Sequence, residues 1–104
     1  MITIEKYLEL IRHGVDWGRK PFVVKWQSED KRFAIVTHSG SVNWSGRGQT
    51  AYSPVLHRVV DLANAGELTG YDLHLKCTIR TFKGRLTKIQ QDDLEQTAAR
   101  AARA

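Results

Sequence analysis

The sequence predicts an α+β fold: a four-stranded antiparallel sheet made from two hairpins, helices packed on one face, in the order α-β-β-α-β-β-α. Three observations lead there. Apolar residues recur at helical spacing near the N-terminus, two later stretches alternate apolar and polar residues as half-buried strands do, and an alanine-rich segment closes the chain. At 104 residues, with no repeat or linker composition, one domain over 1–104 is expected.

Within "IEKYLELI", Ile4, Tyr7, Leu8 and Ile11 share a helical face, and Thr3 can cap it. Gly14 and Gly18 break the pattern. After Pro21, "FVVKWQ" reads as a strand with Phe22, Val24 and Trp26 on one face and Val23, Lys25 and Gln27 on the other. Polar "SEDK" turns it into a second strand, "RFAIVTH", completing a hairpin. Residues 54–65 carry helix punctuation: Ser53 to cap, Pro54 in the first position, Gly66 beyond the end. Leu56, Val59, Val60 and Ala63 would form the buried stripe of that helix.

From Tyr71 to Arg80, Tyr71, Leu73, Leu75, Cys77 and Ile79 alternate with Asp72, His74, Lys76, Thr78 and Arg80, the pattern of a sheet buried on one side. Lys83-Gly84 marks a turn into a returning strand, which sets Ile79 opposite Ile89 and Arg80 opposite Lys88. Like charges side by side on a sheet are unfavourable unless an anion covers them. Asp92 and Glu95 suggest a capping box for a last helix in 91–104. With only Leu94 and alanines to bury, that helix is expected to fray or to be stabilised by a partner.

Composition narrows the function. Cys77 is the sole cysteine, so an intrachain disulfide is impossible; in its apolar setting it reads as a buried thiol suited to a reducing, cytoplasmic compartment. No run of apolar residues reaches the length of a membrane span, and "MITIEKYLEL" lacks a signal-peptide pattern. The formal charge is +5 with a pI near 9.7, and the excess is local. Residues 71–90 hold Lys76, Arg80, Lys83, Arg85 and Lys88 against Asp72, a net of +4.

These five cations, with Phe82 as an exposed aromatic beside them, are the primary candidate site. Cations pair with phosphates and an aromatic stacks on bases, so the expected partner is nucleic acid. The alternative is an adaptor or inhibitor that binds an acidic protein surface. Two Gly-rich segments are secondary contact candidates: Trp44, Arg47 and Tyr52 in residues 37–52, and Trp17 with Arg19 in 13–20. The first lacks the Lys-Ser/Thr of a phosphate-binding loop.

Enzymatic chemistry is not expected. Histidines 13, 38, 57 and 74 lie on four separate segments without a metal-ligand spacing. His38 beside Ser39, with Asp16 or Asp61, permits a small hydrolase only on paper, because triads are defined by geometry. His57 and Asp61 would meet only as i,i+4 neighbours on the expected helix. No cofactor and no metal are expected. The RNP aromatics, the KH-type GxxG and a tight helix-turn-helix are all missing. Exposed sheet edges and the alanine-rich tail favour a homodimer.

Overall fold

The computed structural model describes residues 1–14, 22–38, 41–44, 49–52 and 55–103. It is an α+β fold around a four-stranded antiparallel sheet. Helix α1 (Ile4–Gly14) opens as the sequence indicates: Thr3 Oγ1 accepts a hydrogen bond from Lys6 N at 3.2 Å, while Ile4, Tyr7 and Ile11 are buried. Strands β1 (Phe22–Gln27) and β2 (Phe33–His38) form the expected hairpin. Its turn is held by Ser28, whose hydroxyl donates to Asp30 and accepts from Phe33 N, and by Lys31 at φ 62°. The Ser28 hydroxyl, followed by the Arg32 amide, holds the Asp30 carboxyl below its usual range.

A β-bulge at Lys25 corrects the expected facing of β1. Val24 pairs with Val36 but Trp26 pairs with Ile35, so the extra residue moves Trp26 to the face opposite Phe22 and Val24.

The segment after β2 is a second hairpin. Strands β3 (Ser41–Trp44) and β4 (Gln49–Tyr52) pair from Ser41↔Tyr52 to Trp44↔Gln49 as a separate two-stranded sheet.

The expected helix 54–65 is instead strand β5 (Leu56–Asp61), followed by a 3₁₀ turn, Leu62–Asn64. It lies centrally, in the order β1-β2-β5-β6, where β6 is Thr78–Lys83. Covered on both faces, β5 buries Val59 and Val60 alike. A strand enclosed on both sides loses its period of two, and its apolar run then fits helical spacing equally well.

The opposite error affects 71–80. Residues Gly70–Lys76 form helix α2, and only Thr78–Lys83 are extended. Leu73 and Cys77, four apart, are buried, while Leu75 between them is 63% exposed. The alternation was real, but helical spacing decides which residues go inside. There is no returning strand: β6 pairs with β5, with an extra residue at Ile79. Gly84, at φ 79°, makes the expected turn and leads into helix α3 (Lys88–Arg103). Its capping box is Thr87 with Gln90, a turn earlier than the Asp92–Glu95 pair: Thr87 Oγ1 accepts from Gln90 N at 3.2 Å and Gln90 Oε1 from Thr87 N at 3.1 Å.

Helices cover both faces of the sheet, not one. On one face, Ala34, Val36 and Val60 pack with Tyr7 and Ile11 of α1 and Leu73 of α2. On the other, Ile35 and Val59 meet Leu94 and Ala98 of α3, with Phe82 and Leu86 at the margin. α3 meets the sheet through two buried side chains, Leu94 and Ala98.

Candidate functional site

β6 and the turn into α3 separate the five candidate cations. Lys76 ends α2. Arg80 faces α3: its Nε lies 3.2 Å from Asp93 Oδ1, and its guanidinium sits 4.9 Å from the centre of the Phe82 ring. Phe82 is half-buried against the Ile35–Val59–Leu94–Ala98 cluster rather than exposed as a stacking tip. The pairing of Arg80 with Lys88 across a hairpin does not occur; a carboxylate from α3 neutralises Arg80 instead.

Lys83, Arg85 and Lys88 follow one another within six residues along the β6–α3 corner, at the end of β6, in the turn and at the start of α3. All three are exposed, and none belongs to an ion pair among the described residues. Of the secondary candidates, Trp44 and Tyr52 fall on β3 and β4. Arg47, Trp17 and Arg19, like Asp16 and Ser39, lie outside the described residues.

Beside the corner is a cleft of about 640 Å³ between the sheet and α3. Its sheet wall is Lys25 and Trp26 from the β1 bulge, Ile35 and Thr37 from β2, and His57 from β5. Its other wall is Leu86 with Gln91, Leu94, Glu95 and Ala99. Gln91, Glu95 and Ala99, spaced by four, form one flank of α3. No motif in the sequence marks these residues as one site; the four-residue spacing and a tryptophan in a cation-bearing strand are the available signals.

His57 is fixed in the cleft wall. Nε2 is 3.0 Å from the Gly84 carbonyl, which can only accept, so in the neutral ring Nε2 carries the proton and Nδ1 receives the Thr37 hydroxyl at 3.1 Å. On a strand His57 and Asp61 are roughly 13 Å apart and do not meet as helical neighbours. Asp61 is engaged by Arg32 through two contacts, Nε to Oδ1 at 3.1 Å and Nη2 to Oδ2 at 3.2 Å, and caps the 3₁₀ turn through Ala63 N. That fork raises the Arg32 pKa.

On the α1–α2 side, Arg58 is buried against Tyr7 without an ion-pair partner among the described residues. The two groups feel each other, yet neither Arg58 Nε nor Tyr7 Oη completes a hydrogen bond of ordinary geometry. Burial pushes the phenol pKa up and the guanidinium pKa down. His38 is buried and stacked on Phe22 with ring centres 4.2 Å apart. Among the described residues, no group of three His, Cys, Asp or Glu side chains gathers in metal-binding geometry, and no helix is long and apolar enough to cross a membrane. The chain matches no protein-family model, and no curated protein or solved structure shows significant similarity to it.

Proposed function

We propose that this protein is a small basic binding module that engages the phosphates of a nucleic acid through the β6–α3 corner. The observation that carries the reading is the grouping of Lys83, Arg85 and Lys88, exposed within six residues and free of carboxylates in ion-pair range among the described residues. Arg80 and Phe82, tied to α3, support the corner from behind and do not contact the ligand. Lys76 adds to the field from the end of α2. Binding of this kind reads charge and shape without a chemical step, and a cytoplasmic setting suits both the ligand and the buried Cys77 thiol.

The test is a fluorescence-anisotropy titration of short oligonucleotides at two or more salt concentrations. Replacing Lys83, Arg85 and Lys88 together with glutamate should abolish binding and leave the circular-dichroism spectrum unchanged. Unaltered affinity in that folded variant overturns the reading. Capture of an acidic protein in place of oligonucleotide would move the same corner to the adaptor class.

A further inference from the structure

We infer that the cleft beside the corner receives an unpaired nucleobase, which makes the ligand single-stranded; this rests on the nucleic-acid reading and sharpens it. The cleft has the size and composition of a small-molecule site, mostly apolar walls with a few fixed polar groups. Trp26, 37% exposed on its rim, offers an aromatic face for stacking. One cation, Lys25, lines the cleft, and two more neighbour its lining residues along the chain. Lys25 stands beside Trp26, and on the other wall Leu86 follows Arg85 directly, while Lys88 precedes Gln91 by one helical turn.

A strand of nucleic acid crossing from the corner towards β1 therefore passes from the corner cations to Lys25, with apolar walls between. The cleft spans β1, β2 and β5, about 10 Å at ordinary strand spacing, wide enough to take one base. A paired base keeps its edges and faces occupied and cannot enter.

Inside, the polar groups suit a base edge rather than a phosphate. His57 and the Thr37 hydroxyl are already engaged with each other and with Gly84. Gln91 and Glu95 remain on the α3 flank. The Glu95 carboxylate accepts hydrogen bonds and repels phosphate, so it favours a base that presents an amino group, as cytosine does and thymine does not. The phosphates stay at the rim.

The experiment compares oligodeoxycytidylate, oligodeoxythymidylate and a duplex of equal length in anisotropy titrations with the intact chain. The single strands should bind more tightly than the duplex, and oligodeoxycytidylate should exceed oligodeoxythymidylate several-fold. Trp26→Ala should weaken single-strand binding by roughly tenfold, with Trp26→Phe restoring most of it and duplex binding unchanged. Glu95→Ala should erase the cytosine preference. Unchanged single-strand affinity in folded Trp26→Ala, or duplex binding as tight as single strand, overturns the cleft assignment. If the corner variant still weakens binding in that case, the phosphate reading survives alone; if it does not, both fall.

Discussion

Arg80 of β6 and Asp93 of α3 are joined at 3.2 Å across the margin between sheet and helix, with the guanidinium seated over Phe82. The pair removes one cation from the basic segment and fastens α3 to an outer strand. Both side chains are partly exposed, so the stability at stake is at most about 1 kcal/mol. Asp93→Asn should leave folding nearly intact while releasing Arg80. We expect tighter oligonucleotide binding and a salt dependence steeper by roughly one phosphate contact. A salt titration that superimposes on the wild type would mean that Arg80 cannot reach the ligand.

The helical register of α2 is open to a direct comparison. Leu73→Ala should cost about 2–5 kcal/mol, because Leu73 is fully buried against α1 and the sheet. Leu75→Ala should change stability by no more than about 0.5 kcal/mol. A strand would place both on the same face and make the two costs similar. Urea unfolding of the two variants separates the cases.

Arg58 gives an unusual sign. Its guanidinium is buried without a carboxylate among the described residues, and Tyr7 Oη beside it completes no hydrogen bond. Arg58→Met keeps much of the volume and removes the desolvated charge, so stability should be unchanged or raised by about 1 kcal/mol. Tyr7→Phe should be close to neutral. A drop in thermal midpoint for Arg58→Met would show that the guanidinium has favourable interactions outweighing its burial.

His74 makes stability depend on pH. Burial, then the nearby Arg58 charge, holds its pKa below the ordinary 6.5. The unfolded chain therefore takes up a proton before the folded one does. Stability should be full above pH 6.5 and fall as pH drops below it, levelling off once the folded ring is also protonated. Denaturant midpoints measured between pH 7.5 and 5 should show this decline, and His74→Gln should flatten it.

The sequence made some of these elements legible and hid others for identifiable reasons. The α+β class, helix α1, the first hairpin and the turn at Gly84 follow from local signals: spacing, capping and turn chemistry. Strand β5 was hidden because it is buried on both faces, so Val59 and Val60 carry no alternation. α2 was hidden because Leu73, Leu75 and Cys77 alternate by chance, and only contact with α1 shows which of them is inside. The hairpin of Ser41–Trp44 and Gln49–Tyr52 leaves no strand signal in the sequence, because each strand is only four residues long and set among glycines. Of the site, the local excess of charge was visible, but its division was not. Whether Arg80 is available depends on Asp93, thirteen positions away on another element. The cleft depends on a bulge and on a helix covering the second face, neither of which leaves a motif.

The extra residues at Lys25 and Ile79 fall on the two outermost strands of the main sheet. Each interrupts the ladder between a border strand of the described sheet and its inner neighbour, and the β6 border also bears Arg80 and Lys83. A second copy laid along that border would have to fit an irregular hydrogen-bond comb and bring like charges together. The same kind of irregularity that helps to open a cleft on one face thus makes the outer strands poor templates for backbone pairing with a second copy.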